Sequence, residues 1–423
     1  MENLHRPLVD IGHNAFDRLI DFLGERGRPS LRIVADGNTW RAAGETLASM
    51  ARGAGLDLVQ TVYDDLSLVA DARSVLKLLV EEEDRKRLFV AVGSGTITDI
   101  VRFAAHRTGR DFISVPTAAS VDAYGSVVAP LVIGGVKRTV GAAAPLAIFA
   151  DTEVLAAAPR PMTSAGFGDM LCKYSAVADW RLGALLWGES YDEAIARRAL
   201  AAAASCVEAV ESIGQARPEG LAVLMAALVE SGLCMAEAGN SRPASGAEHQ
   251  YSHFWEMRLL AEGRPPILHG LKVGVGTLVA AGLWERLRSL SLKDAARALA
   301  SGPPRSPEEE RRTIRAVFGG EAAQIEAGQE RFLSMTAAGR RELGARILDN
   351  WERIQAITGG VPGEAETVRL LTAARCPTDP RKLGLGGAEI AQALANAHYL
   401  RGRFTVRKLD LMLFGSAAPS SRP

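Results

Sequence analysis

Leu88-Phe89-Val90-Ala91-Val92-Gly93-Ser94-Gly95-Thr96-Ile97-Thr98-Asp99 is the stretch that decides the fold. Its first five residues form an apolar run that reads as a buried strand, and Gly93-Ser94-Gly95 stops it before a helical pattern over residues 97–108. A strand that enters a helix through a glycine turn is half of a βαβ unit. The same alternation extends to both sides. Residues 31–35 read as a strand closed by Asp36-Gly37-Asn38-Thr39, with Thr39 as N-cap of a helix over 40–53. Residues 58–62 read as a strand, 67–85 as a helix, 112–116 as a strand, 127–139 as a hairpin turned at Gly134-Gly135, and 146–149 as one more strand. Such alternation builds an α/β layer on a parallel sheet.

Beyond residue 161 the texture changes. Strand runs nearly vanish, and Ala-rich helical spacing governs 168–186, 191–213, 220–238, 248–262, 273–289, 308–318 and 338–356. A chain of 423 residues is too long for one ordinary core. The expected organisation is an α/β nucleotide-binding domain over 1–160, an all-α domain over 161–414 for metal and substrate, and a flexible tail over 415–423. Residues 301–307 read as a Pro/Ser loop.

Composition excludes several classes. Hydrophobic content of 48% with 23% charged residues belongs to a globular protein. Lys plus Arg equals Asp plus Glu at 49 each, so no overall field recruits nucleic acid or an anionic membrane, while a local basic pocket for a small phosphate remains compatible. The four cysteines are widely spaced without a CxxC pair, which favours free thiols in a reducing cytoplasm. Residues 1–18 lack an apolar signal core, and apolar stretches such as 141–150 are too short to span a bilayer. A cytoplasmic protein without membrane insertion is expected. Ala-rich helices are compatible with a homodimer.

Two constellations carry chemistry. Gly93, Gly95 and Thr96 form a turn through which backbone can approach a pyrophosphate at a helix N-terminus, although Ile97 and Thr98 break the full GxGxxG pattern. Asp99 follows one turn later. Asp36 ends an earlier strand, where it suits either a ribose hydroxyl or the first turn of a helix. Thr117-Ala118-Ala119-Ser120 follows a strand at the edge where open α/β sheets bind ligands, and its hydroxyls suit either a nicotinamide or a turn.

The second constellation is Asp169, His249 and His269, one carboxylate and two imidazoles, which is the ligand count of a catalytic metal with an open position. Of seven histidines, His249, His253 and His269 fall within 21 residues, and His253 shares a helical face with His249. Glu248 and Glu256 stay open as ligands, Cys172 and Cys234 lack ligating spacing, and zinc, nickel and iron(II) are all admissible. A metal beside a nicotinamide is the equipment of an alcohol–ketone oxidoreductase.

Together with Val115-Pro116-Thr117-Ala118-Ala119-Ser120-Val121-Asp122, Ala165-Gly166-Phe167-Gly168-Asp169, residues 239–249 and His269-Gly270-Leu271-Lys272-Val273-Gly274, these motifs give the chain a family likeness. It resembles the sn-glycerol-1-phosphate dehydrogenases, in particular a bacterial branch associated with arabinose operons. More distantly it is similar to iron-containing alcohol dehydrogenases, glycerol dehydrogenases and dehydroquinate synthases. The likeness covers residues 36–400. It implies a Rossmann-like domain followed by an all-α domain, the dehydroquinate synthase-like fold. It further implies reversible reduction of dihydroxyacetone phosphate to sn-glycerol 1-phosphate with NADH or NADPH, within phospholipid metabolism.

Carried onto this chain, the family pattern makes Gly95 to Asp99 the pyrophosphate loop and brings Thr117, Ser120 and Ser126 to the cofactor. Asp122 then lies at the substrate, Asp169, His249 and His269 hold one divalent metal, Asp169 reaches the substrate through it, and His253 is a substrate contact. Ser94 stands where the family often has a third glycine, and residues 289–345 show no clear match. The competing readings are a polyol dehydrogenase, a dehydroquinate synthase-like cyclase and an inactive nucleotide-binding relative. A phosphate pocket separates the first of these, with Ser252, His253, Arg242 and Lys272 as candidates.

Overall fold

Among the described residues, eight strands, β1 (Leu8–Gly12), β2 (Leu31–Asp36), β3 (Leu58–Tyr63), β4 (Leu88–Gly93), β5 (Phe112–Pro116), β6 (Val128–Ile133), β7 (Val136–Gly141) and β8 (Ala147–Asp151), form two sheets in a computed structural model. The structure describes residues 6–65, 68–81, 86–134, 136–301 and 306–415, Val136 by its backbone. Ser67 and residues 82–85 of the expected second helix, Gly135 of the hairpin turn, residues 302–305 of the Pro/Ser loop and 416–423 of the tail lie outside the described residues.

Six strands pair in the order β3-β2-β4-β5-β8-β1, every pairing parallel. Parallel sheets are covered on both faces, and the side-chain alternation shows it. Ile33, Ala35, Val90, Val92, Ile113, Val115 and Phe149 pack with Phe16, Leu19 and Leu47 on one side. Val34, Phe89, Ala91 and Phe112 pack with Ile97, Ile100, Val101 and Ala104 on the other. Each fully buried Val, Leu, Ile or Phe among them contributes roughly 1.5–3 kcal/mol of transfer free energy. The strand order reverses between β2 and β4. Chain connections leave in opposite directions there, so the carboxyl ends of those two strands, Asp36 and Gly93, flank the crevice where such sheets take ligands. The expected hairpin is present as β6 and β7, with Gly134 at φ +61° in its turn.

Three elements of this layer escaped the sequence reading, one of them the short helix Thr152–Ala157 after β8. Edge strand β1 has no fully buried residue, with Leu8 and Val9 exposed, and its Asp10 accepts from Arg18 (2.7 Å), so no buried apolar run marks it. Helix Ala15–Glu25 follows it. The expected helix over 40–53 starts earlier and differently. Asp36, not Thr39, is the N-cap: its Oδ1 accepts from Asn38 N (2.8 Å) and Thr39 N (2.9 Å), and Thr39 Oγ1 accepts in return from Asp36 N. One wide π turn, Trp40–Gly44, follows before the regular helix Glu45–Gly53.

The chain divides into two compact units, each discontinuous in sequence: residues 1–170 with 201–240, and residues 171–200 with 241–423. This differs from a single cut at 160/161. The reason lies in packing that composition hides. Helix Pro218–Ala238 is Ala-rich like its neighbours, yet it packs on β1 and on helix Thr152–Ala157 of the sheet unit. Among the described residues it is the one helix apolar and long enough to cross a bilayer, with mean hydropathy 1.7, and 61% of that window is buried in the protein.

The second unit is built of helices. Lys173–Trp187, Ala247–Ala261 and His269–Arg288 are central, and the Ala247–Ala261 and His269–Arg288 helices pack along each other. One core gathers Leu182, Trp187, Trp284, Ile347, Phe404 and Leu409, and another Tyr251, Phe254, Trp255, Phe318 and Tyr399.

Candidate functional site

In the sheet unit, Gly93 must be glycine: a Cβ there would stand 2.6 Å from Ile97 Cβ. This close approach lets helix Gly95–Thr108 start directly against the end of β4. Ser94 precedes it without a side-chain cap, so the first N–H groups of the helix, at Gly95 and Thr96, keep the donor character that suits an anion. Asp36 stands at the end of β2, paired to β4 on the other side of the reversal. Both of its capping bonds fall on Oδ1. The turn-acid reading of Asp36 is therefore satisfied by Oδ1, and a ribose contact would fall to Oδ2.

Asp99 is nearly buried and turns toward Arg102, with Oδ1 3.7 Å from Nη1. Burial pushes its carboxyl up to about 7, against the opposing pull of Arg102 and Lys137. Arg102 in turn donates to the carbonyls of Ala123, Tyr124 and Val128 and so staples the 117–128 segment from beneath. That segment carries Thr117, Ser120, Asp122 and Ser126, all buried. Thr117 N donates to Gly93 O (3.2 Å), which ties the segment to the glycine turn. Tyr124 OH donates to Ala118 O (2.6 Å), and Ser126 Oγ accepts from Val128 N (3.2 Å).

Helix Arg160–Leu171 carries Asp169, fully buried. It lies so close to the 117–120 turn that a Cβ on Gly166 would fall 2.0 Å from Ala119 O. The close approach brings two expected site residues together: Asp122 N donates to Asp169 Oδ2 (3.1 Å), and Asp122 Oδ2 accepts from Ser231 Oγ (2.8 Å). Nothing in the sequence marks Ser231 for this part.

In the helical unit the three clustered histidines meet. Ring centroids of His249 and His269 are 5.2 Å apart, and His253 stands 5.7 Å from each. One turn separates His249 from His253 on their helix, and His269 opens the neighbouring one. Burial, then the charges of His269, His249 and Arg401, press the pKa of His253 well below its ordinary value, so it is a neutral imidazole. His249 Nδ1 lies 3.0 Å from Glu248 Oε1, which also accepts from Gly246 N. Burial alone would raise the Glu248 pKa, but its hydrogen bonds to His249 and to the backbone at Gly246 outweigh it and hold the carboxylate below its usual range. A carboxylate on Nδ1 fixes the tautomer and leaves the Nε2 lone pair for a ligand, the arrangement of metal-binding histidines.

Two further convergences occur here, Cys172 with Glu248 and His249, and His253 with Glu256 and His269, each within 4.8 Å. Cys172 Sγ approaches His249 from the Nδ1 side at 3.9 Å. The four residues expected to form a phosphate pocket fare differently. Ser252 is fully buried, and Lys272 donates to Ile267 O (2.9 Å) and faces Glu256 at 3.9 Å. Arg242 is held by Glu189 at 2.7 Å.

A family model described as iron-containing alcohol dehydrogenase matches residues 10–159. A glycerol-1-phosphate dehydrogenase [NAD(P)+] of Geobacillus stearothermophilus is 35% identical over 400 residues, 94% of this chain and 90% of that one. Its counterpart in Bacillus velezensis is 42% identical over 282 residues, 66% of this chain and 72% of that one. The fold is that of a probable glycerol dehydrogenase from Sinorhizobium meliloti 1021, with TM-score 0.61 at 16% identity over 96% of this chain and 95% of that one.

Proposed function

The chain belongs to the glycerol-1-phosphate dehydrogenases, and from that premise we propose how its residues serve the reversible NAD(P)H-linked reduction of dihydroxyacetone phosphate to sn-glycerol 1-phosphate. The dinucleotide lies across the strand-order reversal, its pyrophosphate at Gly93, Gly95 and Thr96 and its ribose at Asp36. Thr117, Ser120 and Ser126 line the nicotinamide half, and Asp99 supports the loop from within.

Asp169, His249 and His269 hold one divalent metal. Zinc, nickel and iron(II) all accept this oxygen and nitrogen donor set. The observation that carries the reading is the histidine cluster with Glu248 on His249 Nδ1, because an oriented, neutral imidazole is what a metal requires. When bound, the nicotinamide is the source of hydride and the ion offsets the negative charge that develops on the carbonyl oxygen. The chain's own groups position the substrate. Neutral His253 offers a hydrogen bond without a competing charge. Asp122, fixed by Ser231, orients a substrate hydroxyl while its backbone amide holds Asp169. All four cysteines are buried, and their wide spacing supports a reading as thiols of a cytoplasmic enzyme.

The test is NADH oxidation by metal-loaded protein with dihydroxyacetone phosphate and free dihydroxyacetone compared directly. Chelator-sensitive turnover of the phosphate ester is expected. His269→Ala is expected to lose its metal in elemental analysis and at least ~100-fold in kcat/KM. Full activity of a metal-free His269→Ala preparation would defeat the metal assignment, and turnover of free dihydroxyacetone alone would move the enzyme to the polyol dehydrogenases.

A further inference from the structure

The cations of the helical unit near the histidines divide sharply by what they already hold. Lys272 and Arg242 are committed as described above. Arg403 gives Nη1 to Ser245 O (2.5 Å) and Nη2 to Ser241 Oγ (2.6 Å). Arg401 differs from all three: it makes no hydrogen bond or ion pair with any described residue. Its side chain is exposed to water, yet burial by the surrounding protein lowers its pKa, and no carboxylate acts on it to raise it again.

The backbone beneath it is fixed. A Cβ at Gly402 would lie 2.2 Å from Gly328 O, so the chain is pressed against helix Ala322–Leu333 where only glycine fits. Arg403 pins the next residue to the 241–245 segment that leads into the His249 helix, and Phe404 N donates to Glu189 Oε1 (2.9 Å). Just before it, the single turn Ala397–Leu400 packs on the Ala247–Ala261 helix. Arg401 thus hangs as a free side chain from an anchored frame, and its charge is one of those that reach His253.

We propose that Arg401 is the anchor for the substrate phosphate, holding a three-carbon phosphate ester by its guanidinium while the carbonyl end lies at the histidines. The proposal rests on the reading of this enzyme as acting on dihydroxyacetone phosphate. Its physical basis is that a partly desolvated guanidinium without a counter-ion costs free energy, which a dianion offsets, and the planar fork matches two phosphate oxygens at once. The Arg401-Gly402-Arg403 triplet lies just beyond the part of the chain that shows the family likeness, so the motifs did not point to it.

The experiment compares Arg401→Gln and Arg401→Lys with the parent enzyme. A phosphate anchor predicts a KM for dihydroxyacetone phosphate raised about 10- to 100-fold in Arg401→Gln, the range for lost charge-assisted hydrogen bonds. Preference for the phosphate ester over free dihydroxyacetone should fall by the same factor, with part of it kept by Arg401→Lys. Competition by inorganic phosphate should weaken in parallel. A rise in the KM of NADH or NADPH instead would assign Arg401 to a cofactor phosphate and overturn the proposal. Equal losses on phosphorylated and free substrate would mark a structural role and overturn it too. Calorimetric binding of inorganic phosphate to both proteins separates the two levels. If the parent enzyme fails to turn over the ester yet binds phosphate through Arg401, the substrate reading falls and the anion site stands. If phosphate binds equally to parent and Arg401→Gln, the anion site falls.

Discussion

Asp36 caps a helix with one oxygen, the proposed ribose contact would use the other, and a pair of substitutions separates the two. Oδ1 closes the first turn after β2, which leaves Oδ2 for the proposed ribose contact. Asp36→Ala is expected to lose about 1 kcal/mol of stability with the cap and to weaken NADH more than NADPH, whose 2′-phosphate gains from removal of a negative charge. Asp36→Asn keeps an oxygen for the cap, so its thermal midpoint should stay near that of the parent while the cofactor preference still shifts. Equal effects of both substitutions on NADH and NADPH would remove Asp36 from the ribose site. Individual residues were legible to the extent that chemistry is local. The adjacency of Glu248 and His249 and the spacing of His253 are visible in one dimension. The Ser231–Asp122 bond joins residues 109 apart and the unpartnered state of Arg401 depends on everything around it, so neither leaves a trace in the string.

Strands showed themselves where burial is complete, since β4, β5 and β8 have nearly every residue inside and read as apolar runs. Helix ends were less legible. Residues 168–186 read as one helix, yet the chain restarts at Cys172, and 338–356 break at Asn350, with neither proline nor glycine at the joint. Such breaks come from tertiary packing, not from propensity. The last helix, Val406–Phe414, escaped the reading altogether, and it carries charged groups inward. Its Lys408 is buried, with Nζ 2.7 Å from Gln329 Oε1 and over the ring of Phe332. Burial lowers its pKa to about 7, against the weaker pull of Glu189 and Glu310. Between pH 7 and 10.5 the unfolded chain holds this proton and the folded chain does not, so this group makes stability rise with pH across that window. The full gap is of order 5 kcal/mol. Lys408→Met should flatten the rise, and identical slopes of thermal midpoint against pH for both proteins would show that Lys408 stays charged in the fold.

At the scale of the molecule, the change of texture near residue 161 correctly announced helices but not their allegiance. Residues 201–240 return to the sheet unit, and helix Pro218–Ala238 covers ground on β1 and on Thr152–Ala157. Ala-rich segments look alike in sequence whichever core they enter. A fragment of residues 1–160 should therefore expose apolar surface, bind a hydrophobic dye and aggregate. A soluble fragment with a cooperative thermal transition would show that the returning segment is dispensable. The discontinuity also sets a schedule for the nascent chain. When residue 160 leaves the peptidyl transferase centre, 80 more residues must be made before the last of the sheet unit, residue 240, exists. At roughly 5–20 residues per second that wait is about 4 to 16 s, during which edge strand β1 and the helix beside β8 stand without their cover. Domain-by-domain folding in order of synthesis is thus closed to this chain, and the waiting half-built sheet is a natural client for a chaperone.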